Sequence, residues 1–318
     1  MRVSLRADLA LVLIAFIWGA TFLVVKNALP DVSPALFLAI RFTMATVLLM
    51  GVFRGRWLPR EPDKRARALR TGLALGACLI TGYILQTMGL EFTTASKAGF
   101  ITGFYIPLVP FLGMFVYRSS GGSASLRIEW PKPVETAGIL VATAGLILMT
   151  LPDERIGIGK GDLLVLASTF AYAVQILLLA RWTGSQPFES ITVFQVGWAA
   201  VLAWLAVPIV ETPRFAMTGT VMFALAISAV FATAVALGLQ TWAIQHTTAT
   251  RSALIFALEP VFAWLTAYAA IGEMLHPRAV VGAIAILAGI LLVELKPGLP
   301  DGHPLERGVD RAVERTDA

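Results

Sequence analysis

Charge is scarce in this sequence. Only 14% of its 318 residues are Asp, Glu, Lys or Arg, where an ordinary soluble domain carries about 25%. Cysteine is nearly absent: Cys78 stands alone in an apolar segment, which excludes an intrachain disulfide and reads as a small buried apolar side chain. The G-x-x-x-x-G-K-[ST] phosphate loop that would power an ATP-driven pump is missing, and Gly157-Ile158-Gly159-Lys160-Gly161 lacks its spacing. His246, His276 and His303 are scattered, with no Cys or His at metal-ligand spacing beside them. No cofactor or metal is therefore expected, and the chain is not read as an enzyme. The net charge of +5 is spread between apolar stretches and forms no basic stripe, so nucleic acid is not an expected partner.

What the chain has in quantity is apolar surface: 57% of residues are hydrophobic and mean hydropathy is +0.77. A bilayer core about 30 Å thick needs roughly 20 apolar residues per helix. Such runs recur near 9–29, 33–53, 67–89, 95–117, 134–151, 161–181, 188–210, 218–241, 250–272 and 277–295. Ten transmembrane helices are expected, with membrane lipids as their solvent and Pro30, Pro131, Pro187, Pro213 and Pro277 at or near helix ends. The first run, Leu9 to Leu29, is too long for a signal core and is read as a retained helix. With the N-terminus in the cytoplasm, the 25 Lys and Arg divide 18 inside to 6 outside, leaving Arg41 within the membrane. Both termini are thus expected to be cytoplasmic. The charged segment 296–318 has too few apolar residues for a core and is expected to be a disordered tail.

The chain repeats itself. An offset of 154 lays Asp8-Leu9 on Asp162-Leu163, Phe16 on Phe170 and Trp18 on Tyr172. The same offset lays Gln86-Thr87 on Gln240-Thr241, and Thr93-Thr94-Ala95-Ser96-Lys97 on Thr247-Thr248-Ala249-Thr250-Arg251. After a longer first-half loop the offset becomes 144, with Gly138 over Gly282 and Ala144-Gly145 over Ala288-Gly289. Residues 8–151 and 161–295 are therefore expected to be two five-helix repeats. An odd number of crossings per repeat inverts the second relative to the first, an architecture that places transport sites near mid-bilayer between the halves.

Trp18-Gly19-Ala20-Thr21-Phe22, Arg41-Phe42, Thr93-Thr94-Ala95, Glu259-Pro260-Val261, Gly272-Glu273 and the stretch Gly282 to Gly289 follow in order across residues 8–295. In that order and spacing the chain resembles the EamA-type members of the drug/metabolite transporter superfamily. The resemblance implies an all-α secondary transporter in a bacterial cytoplasmic membrane that exports amino acids or other small metabolites.

An ionisable residue inside a membrane is a site candidate because lipid does not solvate its charge. Arg41 lies eight residues into the second helix and Glu259 eight residues from Arg251, each about 12 Å deep at 1.5 Å per residue. Arg41 can give two parallel hydrogen bonds to a substrate carboxylate or phosphate; equally, it can pair with Glu259 or bond helix carbonyls. Glu259, loosened by Pro260, is the candidate for proton coupling. Gln195 occupies the repeat position of Arg41, and Tyr105 that of Glu259. Trp18, Tyr172, Tyr83, Gln86, Gln175, Trp198 and Gln240 complete the expected substrate-binding set, with helix packing as the alternative for each. Gly72 and Gly76 are read as close helix contacts, and Glu273 as a charge at the start of the last helix.

The sequence thus reads as a ten-helix transporter of a small polar or amphipathic metabolite, such as an amino acid. The alternatives are an exchanger of phosphorylated or nucleotide-linked sugars, a membrane enzyme and a lipid-binding scaffold.

Overall fold

The computed structural model describes residues 3–119, 133–150, 159–272, 274 and 277–294, and the described residues are almost wholly helical. Among the described residues eight helices are long and apolar enough to cross a membrane: Leu5–Ala28, Pro34–Phe53, Pro62–Glu91, Ala95–Phe115, Lys160–Ser185, Phe188–Val210, Gly219–Ile244 and Ala249–Ile271. Two shorter apolar helices, Pro133–Leu148 and Val280–Leu292, accompany them. Leu140, Ile209, Phe223, Ile284 and many like them are exposed, which suits side chains solvated by lipid. This is a multi-pass membrane protein.

In finer detail the helices are α1 (Val3–Ala28), α2 (Pro34–Phe53), α3 (Pro62–Glu91), α4 (Ala95–Thr102), α5 (Tyr105–Ser119), α6 (Pro133–Thr150), α7 (Lys160–Trp182) and α8 (Phe188–Val210). Then follow α9 (Gly219–Ile227), a π-helical segment (Ser228–Val235), α10 (Ala236–Ile244), α11 (Ala249–Phe256), α12 (Leu258–Ile271) and α13 (Pro277–Glu294). Proline opens α2, α3 and α13, where its missing N–H has no helical acceptor to lose. Thr94 caps α4 by accepting from the amide of Lys97, and Thr248 caps α11 by accepting from the amide of Arg251, both at 3.2 Å.

Three departures from regular helix matter. The runs expected to be continuous over 95–117 and 250–272 are each interrupted, at Gly103–Phe104 and at Ala257. The two breaks are 154 residues apart, so they occupy equivalent repeat positions. Proline accounts for both: Pro107 and Pro260 supply no amide to the carbonyls of Gly103 and Phe256 four residues earlier. Irregular backbone at membrane depth is tolerated only inside protein or against a cavity, and Gly103 and Ala257 are buried. The third departure is the π turn at Ser228–Val235, which shifts the carbonyl register of the helix expected over 218–241.

Packing places α3 between α7 and α8, α2 against α8, α1 against α12 and α10, and α6 against α13. At Gly72 and Gly76 a side-chain Cβ would come within 2.4 Å of Phe194 and 2.7 Å of the Gln195 carbonyl, so α3 seats on α8 backbone to backbone. Lys26, at the end of α1, donates to the carbonyls of Leu90 at 2.6 Å and Glu91 at 3.0 Å. Thr93, just beyond, donates to Asp162 at the start of α7. Hence α7 begins where α1 ends; just past its far end Thr183 O accepts from Gln245, six residues before Arg251, which pairs with Asp8 near the start of α1, so the two helices run in opposite directions. Glu273, Pro131 and the segment 296–318 lie outside the described residues.

Candidate functional site

A narrow cavity of about 60 Å³ lies among α1, α2, α3, α4, α5, α7, α10 and α12, more than the roughly 10–15 Å³ that a single water needs. Nine of the residues singled out in the sequence line it: Trp18, Arg41, Tyr83, Gln86, Tyr105, Tyr172, Gln175, Gln240 and Glu259. Gln195 and Trp198 are placed elsewhere. Gln195 is fully buried behind the cavity, accepting from Gln175 Nε2 at 3.2 Å and donating to Thr241 Oγ1 at 3.0 Å. Trp198 sits on α8 against Gly76 of α3, in the helix contact just described.

Arg41 projects from the second turn of α2 and is 3% exposed. Its Nε donates to Thr233 Oγ1 at 2.7 Å, and its Nη2 to Ala232 O at 3.3 Å and Tyr83 Oη at 3.4 Å. The guanidinium also lies 4.7 Å from the centre of the Tyr83 ring, a cation–π distance. Ala232 and Thr233 belong to the π segment, whose altered register aims one carbonyl and one hydroxyl at α2. Ala232 O additionally receives Trp18 Nε1 at 3.0 Å. Nη1 of Arg41 has no protein partner among the described residues.

Glu259 enters from the other broken arm, in the first turn of α12 two residues past the Ala257 break. Tyr105, two residues past the equivalent break, donates to Glu259 Oε2 at 3.1 Å. Residues at matching positions of the two repeats therefore meet at the cavity wall. Gly19 sets the depth of this contact, because a Cβ there would lie 2.7 Å from the Glu259 carbonyl. Only glycine lets α1 approach α12 so closely. Among the described residues no ion pair joins Arg41 to Glu259, so the pairing offered as one reading of the sequence is not formed. The two charges stand on separate walls of one cavity.

The rest of the wall orders itself. Tyr172 Oη donates to Gln86 Oε1 at 3.0 Å, and Gln86 Nε2 to Thr102 Oγ1 at 2.9 Å. Tyr83 packs edge-on against Tyr172 and Phe42, with ring centres 5.6 and 5.2 Å apart. Gln240 Oε1 is buried without a partner among the described residues, a polar atom whose lost hydration a ligand can repay. Apolar surface comes from Phe22, Val25, Leu79, Leu90, Ile176 and Leu237. Sequence reasoning missed Thr21, Thr87 and Thr102 of the lining, and Thr233 behind it. Thr21 follows Trp18 by one helical turn and Thr87 is beside Gln86, so helical spacing was a usable signal for both. Thr233 had none, since its role depends on the π register.

The wall can hold an anionic group at Arg41 and a hydrogen-bond donor at Glu259, with an apolar or aromatic body against Trp18, Phe22 and Tyr172.

Comparisons with known proteins agree with this setting. The EamA-like transporter family model matches residues 5–151 and again 159–295. An "uncharacterized transporter" of Archaeoglobus fulgidus is 32% identical over 92% of this chain and 87% of its own length. A chloroplastic WAT1-related protein of Arabidopsis thaliana is 24% identical over 89% of this chain and 68% of its own. A protein solved by crystallography shares the fold, with a TM-score of 0.71 at 18% identity, covering 91% of this chain and 96% of that one. With two family matches spanning both halves of a polytopic helical bundle around a central cavity, the chain belongs to the EamA-like transporter family of membrane transporters.

Proposed function

We propose that the protein is a secondary transporter of a small amphipathic metabolite bearing a carboxylate, of the amino-acid kind, and that it exports this cargo across the cytoplasmic membrane. The observation that carries the substrate class is the separation of Arg41 from Glu259 across one buried cavity. A paired Arg and Glu would neutralise each other. Kept apart, they suit the two ends of a zwitterion, the carboxylate taking Arg41 Nη1 and the ammonium taking Glu259. Arg41 is the one cation among the lining residues, whereas a sugar phosphate calls for more than one.

Transport by alternating access between two inverted five-helix halves is the mechanism that fits best. The opposite directions of α1 and α7, the matched helix breaks and the recurrence of the family model support it. In this reading ten helices cross the bilayer, both termini are cytoplasmic and gradients of ion or substrate drive the cycle. Purified protein in liposomes, offered a pooled mixture of amino acids, organic acids and sugar phosphates, tests the proposal. Saturable uptake of amino acids is expected. Uptake confined to sugar phosphates, or to none of the pool, overturns the substrate class.

A further inference from the structure

Among the ion pairs that tie the first half of the chain to the second, two are related by the repeat. Arg251 Nη2 donates to Asp8 Oδ2 at 2.9 Å, and Lys97 Nζ donates to Asp162 Oδ2 at 2.7 Å. The offset of 154 that relates the repeats carries Asp8 onto Asp162 and Lys97 onto Arg251. One pair is therefore the other with the halves exchanged. In each, an aspartate from the start of a repeat's first helix meets a basic residue in the first turn of the opposite repeat's broken arm. Those arms, α4–α5 and α11–α12, carry Tyr105 and Glu259 just beyond their breaks.

The pairs stand at opposite ends of the molecule. Asp8 is near the start of α1, while Lys26 at its end touches Leu90 and Glu91, beside the Thr93–Asp162 contact. The 18 residues from Asp8 to Lys26 span about 27 Å of helix, close to the roughly 30 Å of a hydrocarbon core. The cavity lies between, lined by Trp18, Thr21, Phe22 and Val25 of the same helix. The Asp8 side of it is filled by the fully buried Leu11, Ile14 and Ala15. On the other side the lining reaches Val25 and Leu90, next to Lys26 and Glu91.

The two carboxylates are not equally satisfied. Asp162 accepts from Lys97, from the Thr93 hydroxyl at 2.8 Å and from the Gly159 amide at 2.9 Å. Asp8 Oδ1 is buried without a partner among the described residues. Both pairs are partly desolvated, with side-chain exposures of 35% and 14% for Arg251 and Asp8, and 23% and 7% for Lys97 and Asp162. At such sites the cost of removing water nearly cancels the attraction, so a pair can part and re-form at little net cost.

We infer that Asp8–Arg251 and Lys97–Asp162 are the two gates of the transport cycle, each closing one end of the central cavity and opening in turn. The inference rests on the transport reading above. Because both pairs span the same two halves at opposite ends, a rocking motion that parts one presses the other together.

The test needs no substrate. In a Cys78→Ala background, Thr21→Cys reports access to the cavity from a membrane-impermeant thiol reagent applied to either face of oriented vesicles. Lys97→Gln should raise labelling from the Lys97 face and lower it from the Asp8 face, changing the ratio about fivefold, the population shift given by roughly 1 kcal/mol. Arg251→Gln should change the ratio in the opposite direction. Where a single neutralisation prevents folding, Lys97→Gln with Asp162→Asn, or Arg251→Gln with Asp8→Asn, leaves no uncompensated charge and is read the same way. Ratios that stay at the wild-type value, or move the same way for both ends, overturn the gates. Labelling that shifts as expected with no cargo found in liposomes keeps the gates and faults only the substrate class.

Discussion

Replacing Arg41 with glutamine separates substrate recognition from folding, and the surrounding hydrogen bonds say how. In the wild type the guanidinium serves Thr233, Ala232 O and Tyr83. After Arg41→Gln, Ala232 O keeps Trp18 Nε1, and Thr233 keeps its bond to the Ser228 carbonyl at 2.9 Å. Both backbone carbonyls therefore remain satisfied, and a buried charge without a counter-ion among the described residues is removed. The variant should insert and stay monodisperse. The substrate loses more. A hydrogen bond to a charged group contributes about 1.5–3 kcal/mol, and Arg41 offers a carboxylate two N–H groups where Gln restores at best one neutral bond. A net loss of about 2–3 kcal/mol corresponds to a roughly 30- to 150-fold weaker affinity. Counterflow in liposomes measures it, with the carboxamide analogue of the same cargo as control, since that analogue should be much less affected. A monodisperse variant that transports the carboxylate cargo at wild-type affinity refutes the assignment.

Two other outcomes follow from the same geometry. Glu259→Gln retains a partner for Tyr105 but can neither cycle a proton nor attract the ammonium, so proton-driven accumulation should vanish while substrate exchange persists at weakened affinity; undiminished accumulation would show that Glu259 is not the coupling group. In a Cys78→Ala background, Arg60→Cys and Gly159→Cys, both at exposed positions, should label from the cytoplasmic and the outer face respectively. Labelling of both from one face would remove the inverted topology.

Reading the sequence was most productive where lipid imposes a rule on every residue. Long apolar runs must become helices, because no water is present to satisfy an exposed backbone, and this made the helical class and most helix bounds legible. Asp8 and Asp162 drew attention only as an alignment, yet each has a basic partner at the matching place. Burial of charge marked Arg41 and Glu259 in the same way. Hydropathy alone could not see the breaks at Gly103–Phe104 and Ala257, because those residues are as apolar as a continuous helix requires.

What tertiary structure decided is which polar groups share a space. Arg41 and Glu259 lie at comparable depth by counting residues, but the azimuth of each helix and the π turn at Ser228–Val235 direct one to Thr233 and the other to Tyr105. Gln195 and Arg41 are equivalent in the repeat and differ in role, since Gln195 turns toward Gln175 and Thr241. Depth in a bilayer follows from distance along the chain, which sequence contains. Direction around a helix axis, and the register shift that exposes a carbonyl, follow from how neighbouring helices pack, which sequence encodes only through the whole fold.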